Sequence, residues 1–346
     1  MLNGELPPLV KGGVAYQVDR LARALAARGH MVSVISLTKG SSSAPYEVRQ
    51  IFSPRWLREK TPWQLAVLPL AFGCASYRHF DVVHAHGDNP LLYRRKVPVV
   101  RTFYGSAREE ARSAERFRRL AAQTLLIGSE LLGRKLATIT VGISQNTSNS
   151  LGGLDFIVPC GVDRRFFRPQ PKSESPSILF VGTIFGRKRG AAVVRAFNET
   201  IHPRLPNAEL WLVADVPVQG AGITSFGMVS DDEIRRLFSS AWIFTLPSTY
   251  EGFGVPYIEA MASGTAVVAT PNLGAVELFA ERSGGVLVGE DKLGETILRL
   301  LNDGDTLREL SKGGRQESAS FDWNLIAARY EEIYELAMTR AKSSSG

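Results

Sequence analysis

The chain has 346 residues, 44% of them hydrophobic and 22% charged, which excludes a disordered or fibrous protein and leaves room for about two globular domains. Residues 1–170 carry 24 Lys/Arg against 12 Asp/Glu, while residues 171–346 carry 17 against 22. The basic half is either generic solubility charge or the mark of an anionic partner such as a phospholipid headgroup, a polyprenyl phosphate or an acidic glycan; nucleic acid is not expected, since no recognised binding motif accompanies the charge.

At the N-terminus, Met1 leads into Leu2-Asn3-Gly4 without a basic start or an apolar run, so no signal peptide is expected. A doubly wound domain opens on a buried strand, yet here a loop comes almost at once, Leu6-Pro7-Pro8 and then Lys11-Gly12-Gly13. Only residues 1–3 can be the tail of such a strand. The N-terminal domain is therefore expected to lack its first strand, with the natural start expected upstream. Helix Val14–Arg28 follows, with Val18, Leu21, Ala22 and Leu25 at helical spacing. Strand Met31–Leu37 and the Ser-rich loop Lys39–Pro45 come next. Trp63–Tyr77 is too short to span a bilayer and contains Pro69, so it reads as a core helix. Cys74 and Cys160 are too few for a disulfide framework, which fits a reducing cytoplasm.

Strand Asp81–His84 leads into His84 and His86, which share one side of an extended chain. Only Asp88 lies near enough to add a ligand, so no metal is expected there. Strand Val97–Phe103 ends in Tyr104-Gly105-Ser106. Arg108, Arg112, Arg116 and Arg119 recur at four, four and three, one stripe along a helix expected over Arg108–Leu126. That stripe is either a solvated face or an acceptor- or membrane-facing surface. Strands Thr138–Ile143 and Phe156–Pro159 close this half, and Pro169–Ser177 has linker composition.

The second half restarts with strand Ser177–Gly182, then Arg187 and Lys188 just before helix Ala191–Ile201. Strand Glu209–Ala214 follows. Phe226–Ser230 precedes helix Asp231–Ser239, with Ser230 as cap and Glu233 three residues on. Strand Ile243–Leu246, a polar loop, helix Val255–Ser263 and strand Ala266–Ala269 form the most informative stretch. Pro256 suits a first helical turn. Gly252 and Gly254 allow close backbone approach and leave the helix-start amides open, an anion site. Glu251 precedes the helix and Glu259 lies about one turn inside it; helical side chains lean toward the N-terminus, so both carboxylates border one volume. Carboxylates only accept hydrogen bonds; beside an anion site they repel phosphate and suit the hydroxyls of a sugar that the phosphate carries. That chemistry is a nucleotide sugar. Asn272–Gly274 and Gly284-Gly285 are loops, Leu293–Leu301 is a helix, and Asn324–Met338 is the last one. Strands alternate with helices throughout, which predicts parallel sheets covered on both faces.

The string around Glu251, Gly252-Phe253-Gly254 and Glu259 resembles the nucleotide-sugar site of retaining GT-B glycosyltransferases, in particular glycosyltransferase family 4, whose signature is Glu, seven residues, Glu. The resemblance spans Pro7 to Ala337 and is strongest from Ile178 to Leu278. It implies an α/β GT-B fold, two Rossmann-like doubly wound parallel-sheet domains facing a cleft. Residues 1–168 with the crossover helix 323–346 are then the acceptor-side domain, and 169–322 the nucleotide-sugar domain. It further implies transfer of a sugar from a nucleoside-diphosphate sugar to a hydroxyl of a glycan, lipid or small molecule, with retention and with neither metal nor cofactor. By the same resemblance, Glu251 holds donor-sugar hydroxyls, Glu259 the ribose diol, and Arg187 and Lys188 the diphosphate. Gly12 and Gly13 contact the donor near the phosphates. Gly227, Met228 and Val229 receive the base, Gly252, Phe253, Gly254 and Val255 bound the donor, and His86 approaches the reacting end with His84 in support. Val158–Pro169 is similar to the family's exit from the first domain, with Cys160 in place of Asn.

Two positions depart from the family pattern. Thr183 stands where an Arg is usual, so that one positive charge is either missing or supplied from elsewhere, with Arg189 as the candidate, and Tyr104 stands where a His is usual. These departures, with the short first strand, support an alternative: a nucleotide-sugar-binding protein of the same fold without turnover. A phosphorolytic enzyme would need a pyridoxal phosphate lysine, for which no motif is present. The implied location is cytoplasmic, peripheral on the inner face of the membrane. If the arginine stripe meets that surface, reversing the charge of two of its members abolishes cosedimentation with anionic liposomes and leaves donor hydrolysis intact; unchanged cosedimentation makes the stripe a solvated face.

Overall fold

The computed structural model describes residues 1–4, 6, 7, 13–51, 72, 76–87, 97–107, 109, 117–279 and 284–343, with backbone alone at 117–126. Gly12, most of the Trp63–Tyr77 stretch and the side chains of the arginine stripe lie outside the described residues. The chain forms two compact units, Met1–Gly161 with Trp323–Gly346, and Val162–Asp322.

In the first unit, α1 (Gly13–Ala27) buries Val18, Leu21, Ala22 and Leu25, the apolar face expected from their spacing. Strands β1 (Ser33–Ser36) and β2 (Glu47–Gln50) pair in parallel, as do β3 (Val83–His86), β4 (Val99–Phe103), β5 (Ile139–Gly142) and β6 (Phe156–Ile157) in that order. The place of the expected first strand is taken by residues 1–3. Leu2 bridges Ile35 and Ala85 in parallel, donating from its N–H to the His84 carbonyl at 2.8 Å and accepting from the His86 N–H at 3.0 Å. On the other side the Met1 carbonyl accepts from the Ile35 N–H at 2.9 Å and the Asn3 N–H donates to the Ile35 carbonyl at 3.2 Å, so residues 1–3 join β1 to β3, and Leu2, 1% exposed, fills the core there.

The helix α2 (Phe117–Leu136) precedes β5, and α3 (Gln145–Ser150) is capped by Ser144, whose side chain accepts from the Thr147 N–H. The last helix of the chain, Trp323–Ser343, returns to this unit and buries Ile326, Ala327 and Ile333 against Leu21, Leu25, Val100, Ile139 and Val141. Its tyrosines add polar anchors to that apolar seam. Tyr334 Oη lies 2.7 Å from His84 Nδ1; His84 Nε2 lies 2.8 Å from Thr102 Oγ1, which lies 2.9 Å from Tyr330 Oη.

The second unit holds a six-stranded parallel sheet of β7 (Ser177–Gly182), β8 (Glu209–Ala214), β9 (Ile223–Ser225), β10 (Ile243–Leu246), β11 (Ala266–Ala269) and β12 (Gly285–Leu287). The strand order is β12-β11-β10-β7-β8-β9. The chain winds outward from β7 in one direction, then restarts beside it at β10. The exit segment 162–168, read from sequence as part of the first domain, belongs with this unit because the Val162 N–H donates to the Phe321 carbonyl at 2.8 Å. The helix expected over Ala191–Ile201 is α4 (Gly190–Ala196) passing into a π turn, Phe197–Ile201. The other helices are α5 (Asp231–Ser240), α6 (Val255–Ala262), α7 (Leu273–Phe279), α8 (Leu293–Leu301) and α9 (Gly304–Glu317), and Trp323–Ser343 is α10.

Burial sets the charge state of the histidine anchor. His84 and His86 are each 2% exposed, and burial holds both imidazoles well below the usual 6.5. An unfolded imidazole takes up a proton near 6.5 that the folded one refuses, so the unfolded state binds more protons under mild acid. Stability is therefore expected to fall as pH drops from 6.5 to about 5, by up to about 1.4 kcal/mol per pH unit for each imidazole. Urea denaturation across that window measures the slope, and His84→Asn removes one imidazole's share of it.

Candidate active site

In an open parallel sheet, the loops at the carboxyl ends of two adjacent strands whose chains wind in opposite directions leave a crevice. In the second unit that point lies between β7 and β10, and the two loops there carry the residues singled out above. Residues 183–189 follow β7 and residues 247–254 follow β10. The loops are tied by the Thr249 N–H, which donates to the Arg187 carbonyl at 3.0 Å, and by the Arg187 guanidinium, which donates to the Tyr250 carbonyl.

Glu251 is 6% exposed. Its carboxylate accepts from Lys188 Nζ at 2.7 Å, and Arg187 Nη1 lies 3.3 Å from the same oxygen. Burying a carboxylate is costly unless it is paired and hydrogen-bonded, so the two cations account for its position. Lys188 can reach because Gly182 has no Cβ; one there would stand 3.0 Å from the Lys188 Cβ. Arg187 remains largely exposed, its side chain 42% accessible.

Helix α6 begins beside this triad. Its N-cap Gly254 has φ +97°, and no side chain caps the helix. A Cβ at Gly254 would come within 2.3 Å of the Tyr257 ring, so glycine is demanded by both the left-handed backbone and the close approach. Pro256 stands in the first turn, where no N–H is needed. Glu259 sits one turn inside α6, half-buried, as do Gly252 and Val255 in part, while Phe253 is buried and edge-on to Phe321 at 5.6 Å.

Three residues that support this loop were not evident from sequence. Asn272 Nδ2 donates to the Ser248 carbonyl at 3.1 Å and to Tyr257 Oη at 3.2 Å. Tyr257 in turn donates to the Leu246 carbonyl at 3.0 Å. Gly274 lets α7 approach the loop backbone, since a Cβ there would lie 2.7 Å from the Phe253 carbonyl oxygen and 2.8 Å from that of Glu251. A signal was present only as Asn-Leu-Gly between a strand and a helix, which reads as an ordinary turn.

Gly227, Met228 and Val229 lie between β9 and α5, at the same end of the sheet. Gly227 has φ +64°, Met228 is 74% exposed and Val229 is half-buried. Ser230 caps α5 as expected, accepting from the Glu233 N–H at 3.2 Å. Arg189 does not join the cations at Glu251. It takes a left-handed conformation at φ 55°, and its guanidinium turns to Glu290, with Nε 2.6 Å and Nη2 2.7 Å from the carboxylate oxygens. The positive charge expected from Arg189 in place of Thr183 is therefore committed elsewhere.

The remaining site candidates belong to the first unit. Gly13 opens α1 with open space where a Cβ would be, and Gly12 lies outside the described residues. His86 is buried at the end of β3, its ring tilted 34° against that of His84 with centroids 3.8 Å apart, and its Nδ1 lies 2.9 Å from Tyr104 Oη. Among the described residues no helix is long and apolar enough to cross a membrane.

A family model described as glycosyltransferase family 4 matches residues 11–166, and one described as glycosyl transferases group 1 matches residues 175–303. MMP alpha-(1->4)-mannosyltransferase of Mycolicibacterium hassiacum is 28% identical, over 95% of this chain and 96% of its own. Phosphatidyl-myo-inositol mannosyltransferase of Mycobacterium tuberculosis is 26% identical, over 94% and 93%. Among solved structures, sucrose-phosphate synthase from Thermosynechococcus elongatus matches with a TM-score of 0.77 at 22% identity, over 95% of this chain and 94% of that one. HepE of Anabaena, solved with UDP-glucose, matches with a TM-score of 0.75 at 16% identity, over 96% and 98%. These likenesses establish the fold as GT-B. With one family model on each half of its sequence, the chain belongs to glycosyltransferase family 4, the glycosyl transferases group 1, and is a glycosyltransferase.

Proposed function

We propose that the chain moves a hexose from a nucleoside-diphosphate hexose to a hydroxyl of a glycan or lipid acceptor, with retained anomeric configuration. The observation that carries this reading is the Lys188–Glu251–Arg187 cluster at the carboxyl ends of β7 and β10. A diphosphate is the stronger anion and competes with Glu251 for both cations. On binding, Lys188 and Arg187 turn to the diphosphate, and Glu251, released, accepts from the hydroxyls of the sugar. Glu259 takes the ribose diol, and the loop Gly227–Val229 receives the base. The open start of α6 adds its dipole at the phosphates.

Charge develops on the departing diphosphate as the anomeric centre becomes oxocarbenium-like, and positioned cations stabilise it most in that state. In the proposed reaction these two side chains and the helix do the work on the diphosphate, with no metal or cofactor. The acceptor attacks from the leaving-group face, and its proton passes to the departing phosphate oxygen. His86 is proposed beside the reacting sugar and Gly13 near the phosphates. A mannosyl donor is supported by the names of both mannosyltransferase relatives, and a lipid acceptor by that of the phosphatidyl-myo-inositol mannosyltransferase. The basic first 170 residues support a peripheral place at an anionic cytoplasmic membrane surface.

Lys188→Ala is expected to lower kcat/KM by about 100- to 1000-fold, the loss of about 2.7–4 kcal/mol for one such electrostatic contact. Glu259→Ala is expected to weaken binding of every nucleoside-diphosphate hexose, measured by calorimetry against UDP-, GDP- and ADP-hexoses. Undiminished affinity for all of them contradicts the assignment. Donor binding without nucleoside diphosphate release, in the presence of lipid and glycan acceptors, makes the chain a binding protein instead.

A further inference from the structure

Three large apolar side chains stand in water at the carboxyl edge of the second unit's sheet. Phe185 is 69% exposed, Val216 39% and Met228 74%, and they follow β7, β8 and β9, which are neighbours in the sheet. A single exposed apolar residue is ordinary on a protein surface, whereas a contiguous group marks a binding site. The ladders make these three contiguous. β7 and β8 pair with Gly182 opposite Ala214, and β8 and β9 with Leu212 opposite Ser225. Continued past the strand ends, the first register sets Ile184 opposite Val216, and the second sets Met228 opposite Asp215. The Ile184 N–H donates to Asp215 Oδ1 at 2.9 Å, so the loops after β7 and β8 stay side by side. Ile184 itself is buried, and the next residue, Phe185, faces outward.

The polar side chains on these loops are largely committed to backbone. Asp215 holds the Ile184 N–H. Ser225 Oγ accepts from the Val218 N–H and donates to the Val218 carbonyl, both at 2.9 Å, and Ser230 caps α5. Asp231 and Asp232 stand in the first turn of α5, where the helix dipole accounts for acidic residues. What the loops offer outward is chiefly apolar surface. It lies on the side of β7 away from β10, and Phe185 precedes Arg187 by two residues in one loop. The surface therefore continues directly from the Lys188–Glu251–Arg187 cluster. A diphosphate held by those cations has Glu251 on the β10 side, suited to hydroxyls, and on the other side a surface suited to the face of a flat ring.

We propose that Phe185, Val216 and Met228 are specificity-determining contacts for the faces of the donor's base, and that the site ranks bases by ring area, purine above pyrimidine, and not by the hydrogen-bonding pattern of their edges. This inference rests on the reading of the chain as a nucleotide-sugar enzyme. An aromatic side chain stacks on any base, because every base has a π-face, and a thioether packs favourably against an aromatic ring. The apolar gain grows with the area removed from water. Three strand ends span two ladder spacings, about 9.5 Å, and a fused two-ring base covers more of that span than a single ring does.

The test is calorimetric titration of the full-length chain with ADP, GDP, UDP and CDP. The unmodified chain is expected to bind both purine diphosphates about fivefold more tightly than the pyrimidine ones, the scale of roughly 40 Å² of additional apolar contact. The double variant Phe185→Ser/Met228→Ser changes two exposed side chains and leaves the core intact. It is expected to weaken ADP and GDP about tenfold, the scale of losing a stacking partner, and to bring the purine-to-pyrimidine ratio below about twofold. A variant that merely loosened the loops would lower all four affinities by one factor and keep the ratio, and that result overturns the proposal. So do pyrimidine diphosphates bound as tightly as purine ones by the unmodified chain, or ADP and GDP differing by more than about tenfold, which is edge reading. Each of these leaves diphosphate binding and the proposed function standing; an unmodified chain that binds none of the four removes both.

Discussion

One buried carboxylate governs the site of the second unit. Glu251 is drawn to the carboxyl ends of β7 and β10 by two cations from the neighbouring loop, at 2.7 Å and 3.3 Å. Without them its burial would be strongly unfavourable. The loops that carry the two sides meet only because β10 lies beside β7 in the sheet. Sheet order therefore places the charge pair, and the pair in turn holds the loops at the start of α6.

That arrangement gives the cluster two alternative anions. A carboxylate and a diphosphate both suit a lysine and an arginine, and the proposed donor exchanges one for the other. The two cations differ in kind. Lys188 is a point charge whose stem lies over Gly182, while Arg187 is more exposed and offers a planar fork. Arg189, one residue on, adopts a left-handed backbone that costs about 1–2 kcal/mol in a residue with a Cβ. Its bonds to Glu290 accompany that conformation and tie the start of α4 to the segment after β12.

In the first unit, apolar burial and a polar network act on the same elements. Helix α10 covers the sheet with Ile326, Ala327 and Ile333, and its tyrosines reach through that seam to His84 and Thr102. A buried network of this sort stabilises only when every member is satisfied. Residues 1–3 contribute the remaining constraint: Leu2 makes both of its backbone bonds to β3, while the Met1 carbonyl and the Asn3 N–H bond to Ile35 of β1.

Local chemistry made much of this legible from the sequence. The apolar spacing of α1, the runs of β7, β10 and β11, the Ser230 cap and the glycine-bounded start of α6 are each decided within a few residues. The family signature at Glu251 and Glu259 was legible for the same reason, because it is a contiguous string. What spacing alone could not supply were the short elements: β2, β9 and β12 have four residues or fewer in a ladder, and α9 carries Gly304, Gly313 and Gly314, which hide its period. Only the tertiary structure decided that residues 162–168 join the second unit, that Arg189 faces Glu290, and that Tyr104 meets His86 and Tyr334 meets His84 across 250 residues of chain. Each of these depends on which strands become neighbours and on which buried polar atoms must then find partners, and neither is encoded at any fixed separation along the chain.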